Sequence, residues 1–130
     1  MKKHFVNYNQ SLALKELDFN EECLAYFNSK GILSTKSDEY ELYLINNDKW
    51  ISPACSAPLK SQVFEWFREY YNKLSAIDHS SVNGWYFVIR EIGGTTDPML
   101  KALSVGNFKT YEEAESACIY KLIEIVKDGR

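Results

Sequence analysis

The sequence predicts an α+β fold: an antiparallel sheet of about four strands in ββα-ββα order, with two main amphipathic helices and a short helical N-terminus. Three observations lead there. Apolar side chains recur at helical spacing over residues 59–74 and 110–126. Four strand-like segments are bounded by Gly, Pro, Asn or Asp, and each pair of them is followed by one of the helices. At 130 residues, 45% apolar and 15% aromatic, the chain has the length of one domain, 1–130, and the apolar mass to bury a core without disulfides or metals.

Residues 1–8 read as a loose start. Helix grammar begins at Asn9, where Leu12, Ala13 and Leu17 lie among Lys15 and Glu16. Asp18-Phe19-Asn20 interrupts it. Asn20 suits an N-cap, with Glu21 and Glu22 in the electropositive first turn of a second short helix toward Phe27, so residues 9–28 form a helical N-terminal segment. Asn28-Ser29-Lys30-Gly31 reads as a turn. The ββα-ββα body spans 40–126. Residues 40–45 read as its first strand and Asn46-Asn47-Asp48 as a turn. Trp50-Ile51 begins a returning strand that Pro53 ends early.

Pro58 suits the first turn of the first main helix, where its missing N–H is no loss. Leu59, Val63, Trp66, Phe67, Tyr70 and Leu74 make one continuous apolar stripe, with Lys60, Gln62, Glu65, Arg68, Glu69 and Lys73 opposite. Residues 75–83 read as a polar loop. Gly84 opens the strongest strand, 85–92; 93–98 is a loop, and 99–105 returns as the antiparallel partner, ending at Gly106. Thr110 caps the last helix and Glu113 completes a capping box. Ala114, Ala117, Cys118, Leu122 and Ile125 form its inner face, and Gly129 stands at its C-terminal cap. The strand 85–92 is apolar on both sides, Trp85, Phe87 and Ile89 on one and Tyr86, Val88 and Ile92 on the other. Both faces are therefore expected to be covered. Two helices and a short N-terminal segment cover them incompletely, which points to a second copy of the chain and hence a homodimer.

The formal charge of −3, without a basic stripe, disfavours nucleic acid as the main partner. No run of 18 apolar residues is present, so no membrane span is expected. Lys2 and Lys3 lead into His4-Phe5-Val6-Asn7, which lacks the apolar centre of a secretion signal. Three widely spaced cysteines fit a reducing cytoplasm.

Three stretches carry a resemblance. They are Ala13-Leu14-Lys15-Glu16-Leu17 with Phe19-Asn20-Glu21 and Cys23; Ala57-Pro58 with Gln62, Phe64, Trp66-Phe67-Arg68-Glu69 and Tyr71; and Tyr111-Glu112-Glu113-Ala114-Glu115 with Ala117-Cys118 and Lys121-Leu122-Ile123-Glu124-Ile125. Together, over residues 10–126, they resemble small uncharacterised proteins of phages, prophages and other mobile elements of anaerobic gut bacteria. Asp18 stands where that pattern has glycine. The resemblance implies no activity, and no catalytic residue follows from it.

The residues themselves offer few chemical constellations. Cys55, between Pro53 and Pro58 and just before a helix, is the one thiol expected at the surface, where a helix N-terminus lowers thiol pKa values. Cys23 and Cys118 read as small core residues. His4 and His79 are isolated, and no spacing suits a catalytic pair, a metal or a cofactor. Gly93-Gly94-Thr95-Thr96 lacks the lysine and spacing of a phosphate loop. Aromatic residues exceed the needs of the core stripe, and Trp50, Phe64, Tyr71 and Tyr86 are the candidate interface. The expected function is a non-enzymatic module that binds a protein partner or another copy of itself. The alternative is a small nucleic-acid-binding regulator using residues 85–126, with Arg90 and Lys101 as contacts.

Overall fold

A computed structural model describes residues 2–35, 46–49, 54–93 and 102–129. The fold is α+β, with three α-helices and two three-stranded antiparallel sheets among these residues. Among these residues the expected single four-stranded sheet in ββα-ββα order is not found. The chain divides into two compact units, Met1–Gln62 and Val63–Arg130. The strand read at 40–45 and the one begun at Trp50-Ile51 fall outside the described residues.

In the first unit, α1 spans Tyr8–Glu16 and starts at a reciprocal cap. The Asn7 side chain accepts from the Gln10 N–H at 2.7 Å, and the Gln10 side chain accepts from the Asn7 N–H at 3.0 Å. The helix ends by reversing at Asp18, whose φ of 67° lies in the left-handed region that favours glycine. Asp18 N–H donates to the Lys15 carbonyl at 3.1 Å and Phe19 N–H to the Leu14 carbonyl at 3.0 Å. Leu14 and Phe19, both fully buried, supply the apolar contact that accompanies this double closure.

The helix read at residues 20–27 is instead extended chain leading into β1, Ala25–Phe27. Asn20 caps no helix because its side chain is engaged elsewhere: Nδ2 donates to Asp48 Oδ2 at 2.7 Å, and Oδ1 accepts from the Asp48 N–H at 3.0 Å. β1 pairs with β2, Leu33–Thr35, on one side and β3, Cys55–Ala57, on the other. The turn at residues 28–31 joins the first two, with Asn28 Oδ1 accepting from the Lys30 and Ile32 amides. Gly31 is required there. Its φ is 76°, and a Cβ would sit 2.9 Å from the Tyr8 ring. Nor are the first residues loose. Lys2–His4 form a 3-10 turn, Phe5 bridges to Leu59, the Val6 N–H donates to the Pro58 carbonyl, and Phe5 and Val6 are buried. Phe5, Ala25, Phe27, Cys55 and Ala57 form one core cluster, with Tyr8, Leu12, Leu33 and Leu59 packed against it.

α2 spans Lys60–Tyr71, and the division between the units falls inside it. Val63, Trp66 and Phe67 of the predicted stripe are buried, but Tyr70 is 66% exposed. The helix stops because Asn72 turns left-handed at φ 56°, so Leu74 belongs to a strand. That strand, β4 (Lys73–Ser80), occupies most of the stretch read as a polar loop. It pairs with β5, Gly84–Glu91, in unbroken register from Lys73↔Glu91 to Ser80↔Gly84. β6, Leu103–Phe108, pairs with the other side of β5, three residues beyond the expected end of the return strand. The register slips between Phe87↔Val105 and Trp85↔Phe108, and Asn107 takes up the irregularity at φ 72°.

α3, Tyr111–Asp128, packs on all three strands of this sheet. Thr110 Oγ1 accepts from the Glu113 N–H at 3.1 Å, as expected of the cap. The Glu113 carboxylate, however, accepts from the Lys109 N–H rather than returning to Thr110. Ala114, Cys118, Ile119, Leu122, Ile123 and Val126 are buried, while Ala117 and Ile125 of the predicted inner face are only half-buried. Strand β5 is therefore not covered equally on its two sides. Phe87 and Ile89 are buried, Tyr86 and Val88 are half-buried, and Ile92 lies exposed beyond the strand.

Candidate functional site

Side chains alternate along a strand, and directly paired residues share a face. On the α3 side, Ser75 stands opposite Ile89, Ile77 opposite Phe87, and His79 opposite Trp85. On the other side, Leu74 stands opposite Arg90, Ala76 opposite Val88, and Asp78 opposite Tyr86. Leu74 is 39% exposed, and Ala76, Asp78 and Arg90 are exposed as well. This second face is an apolar strip of Leu74, Ala76, Val88 and Tyr86 with one cation and one anion at its margins.

The hairpin that builds this face turns at residues 81–83, where the Asn83 N–H donates to Ser80 Oγ at 2.8 Å. Gly84 takes φ 61°, and a Cβ there would lie 3.1 Å from the Phe108 carbonyl oxygen. Val82 stands at the tip, 86% exposed. The open face was missed in the sequence because Ser75, Asp78, His79 and Ser80 gave β4 a loop-like composition. The signal that could have found it is Asn83-Gly84, a dipeptide that favours tight hairpins, preceded by the alternation Leu74-Ser75-Ala76-Ile77.

The candidate interface residues are distributed over two elements. Tyr86 stands on the open face. Phe64 and Tyr71 are half-buried on α2, where the Tyr71 ring meets Trp66 edge-on at 5.1 Å. Trp50 falls outside the described residues, as does Lys101. Arg90 lies on the open face in company with Asp78, so the described part of that surface is not uniformly basic.

Cys55 is not a surface thiol. It lies in β3, fully buried, and burial pushes its pKa up to about 11 against a smaller opposing effect of the Lys15 ammonium. Burial likewise pushes Cys23 up to about 12 and Cys118 up to about 12. A thiol held protonated is a poor nucleophile at neutral pH. His79 meets the Trp85 ring edge-on at 5.0 Å, and His4 is exposed in the first turn. Among the described residues no three His, Cys, Asp or Glu side chains gather as a metal site, and no helix is long and apolar enough to cross a membrane.

A polar cleft of about 330 Å³ in the first unit is lined by Lys15, Asp18, Phe19, Asn20, Asn47 and Asp48. Its groups are engaged in holding the chain. Asn47 Nδ2 donates to the Phe19 carbonyl at 2.6 Å, and Asn47 Oδ1 accepts from the Ser56 N–H at 2.8 Å. Lys15 Nζ donates to the Ala54 carbonyl at 2.7 Å. This is a structural junction between chain segments. The open face of the second sheet, by contrast, presents apolar side chains to solvent.

No protein family, curated protein or solved structure matches the chain.

Proposed function

We propose that the chain is a non-enzymatic protein-binding module, an accessory protein of a mobile element, that works through the open face of its second sheet. One observation carries the reading. α3 packs on one face of that sheet, while the opposite face presents Leu74 and Ala76 to solvent beside half-buried Val88 and Tyr86. A contiguous apolar strip with charged margins is the composition of a protein interface, where the apolar centre supplies affinity and the charges supply orientation. The three cysteines are buried, and burial pushes their pKa values up, which supports this reading over one built on a reactive thiol.

The test places a photo-crosslinking amino acid at Ala76 and, as a control, at Glu124 on the exposed side of α3. The expected result is protein adducts from Ala76, either with the chain itself or with another protein, and none from Glu124. Equal labelling at the two positions overturns the reading. Adducts at Ala76 that nuclease removes would replace it with the nucleic-acid alternative.

A further inference from the structure

We propose that β4 is a self-pairing edge, through which two copies of the chain join antiparallel into one six-stranded sheet. This rests on the binding reading above and names the partner as a second copy.

The edge is defined by hydrogen-bond parity. In an antiparallel ladder, residues alternate between those bonded to the neighbouring strand and those whose N–H and C=O point away. The Ile92 N–H donates to the Asn72 carbonyl at 2.8 Å, which makes 72 and 92 a bonded pair. Counting along the register, Leu74, Ala76, Asp78 and Ser80 face β5. The backbone groups of Lys73, Ser75, Ile77 and His79 therefore face the outer side of β4, which has no second strand among the described residues. β6, the opposite edge, is broken by the slip at Asn107, a device that discourages pairing. β4 has eight residues, no proline and no slip.

Parity also selects the register. Outward residues must meet outward residues, so the two-fold axis runs normal to the sheet. Centring it on Ala76 sets Lys73 opposite the second copy's His79, and Ser75 opposite its Ile77, with the reciprocal pairs. This uses all four outward residues of each strand, whereas a centre on Ile77 leaves Lys73 without a partner. The His79 N–H now donates to its neighbour Asp78 Oδ1 at 2.8 Å; on pairing it turns to the second copy's Lys73 carbonyl and frees the carboxylate.

Charge complementarity supports the same register. It places Leu74 beside the second copy's Asp78, and Leu74 is already paired with Arg90. Arg90 and that Asp78 then stand two strands apart on one face, about 9–10 Å between Cα atoms, within the combined reach of the two side chains. The symmetry makes two such pairs. The open apolar strips of the copies become continuous across the axis.

Sedimentation equilibrium from about 10 to 500 µM tests the idea. The wild-type chain is expected to show a monomer–dimer equilibrium. Asp78→Arg and Arg90→Asp should each weaken it about tenfold, since each sets like charges against each other twice. Mixed in equal amounts, the two variants should associate at least as well as wild type, because both pairs are again of opposite sign; recovery on mixing also shows that each variant is folded. Two outcomes overturn the proposal: a monomer throughout the range, or a dimer indifferent to both substitutions. A monomer that still gives Ala76 adducts with another protein would sink self-pairing and leave the binding reading standing.

Discussion

The two units achieve burial by different means. The second places an 18-residue helix on strands of six to eight residues, and its buried side chains are nearly all aliphatic or aromatic. The first has strands of three residues and buries Gln10, Ser11, Asn47 and Ser56 among its apolar groups. Short strands bury little area, and in the first unit Asn47 and Lys15 add side-chain hydrogen bonds to distant backbone. The second relies on apolar area, which is non-directional. A polar junction is intolerant of any change that leaves a partner unpaired, whereas an apolar face tolerates changes that preserve volume.

The largest expected effect breaks the second unit. Phe87 is 2% exposed and its ring stacks on Phe108 at 5.9 Å. Phe87→Ala should cost about 3–5 kcal/mol through lost burial and a cavity, read as a lower denaturant midpoint for amide signals of residues 73–126. Asn47→Ala attacks the first unit in the other way. It removes no large apolar group, yet it takes the Nδ2 donor from the Phe19 carbonyl and the Oδ1 acceptor from the buried Ser56 N–H. The expected cost is about 2–3 kcal/mol, followed through the amides of residues 2–35. A cost near zero would show that water takes over both partners.

Alkali should separate the units next. Each buried thiol has a folded pKa raised above the ordinary value of 9.0. The stability it contributes is fully present below pH 9 and is lost as pH rises toward about 11 or 12. At pH 10 the loss is about 1–2 kcal/mol per thiol. The first unit holds Cys23 and Cys55 and the second only Cys118, so the first should weaken about twice as much. Replacing Cys23 with Ala should halve its sensitivity, measured as midpoints at pH 8 and pH 10.

Three end-of-helix changes give the smallest effects. Thr110→Ala should cost about 1 kcal/mol by orphaning the Glu113 N–H, and Glu113→Ala less, because its carboxylate serves Lys109 outside the helix. Asp18→Gly should instead raise the first unit's midpoint, by about 0.5–1 kcal/mol, by relieving a left-handed backbone at a non-glycine residue. All three are read by thermal denaturation.

Legibility in the sequence followed the same division. α3 could be read because its apolar positions repeat over five turns, and β5 because Trp85 to Ile89 are all large and apolar. α2 could be read up to the point where Asn72 turned left-handed, a conformation that no periodicity announces. In the first unit the local signals competed with distant ones. Asn20 before two glutamates is a good helix start in isolation, and its capture by Asp48, 28 positions away, is invisible to local reading. Asn7 with Gln10 was a legible cap that the weak periodicity of residues 8–16 obscured. Cys55 was placed by its prolines and not by the strand that covers it. The open face needed the β4 pairing, which Ser75, Asp78 and His79 disguised.

The Asn47 junction also sets an order of assembly. Its two hydrogen bonds span 28 positions back to Phe19 and nine forward to Ser56. The chain entropy of closing the longer loop must be spent before the bond to Phe19 forms, whereas α1 needs only neighbours along the chain. The first unit therefore acquires its helix early and its junction late. In the reverse direction the junction is the weak seam, and opening it detaches Phe19 and Ser56 together while the helix cap at Asn7 stays closed. Hydrogen exchange at the Ser56 amide is the clock of that opening, because its proton can leave only when Asn47 lets go.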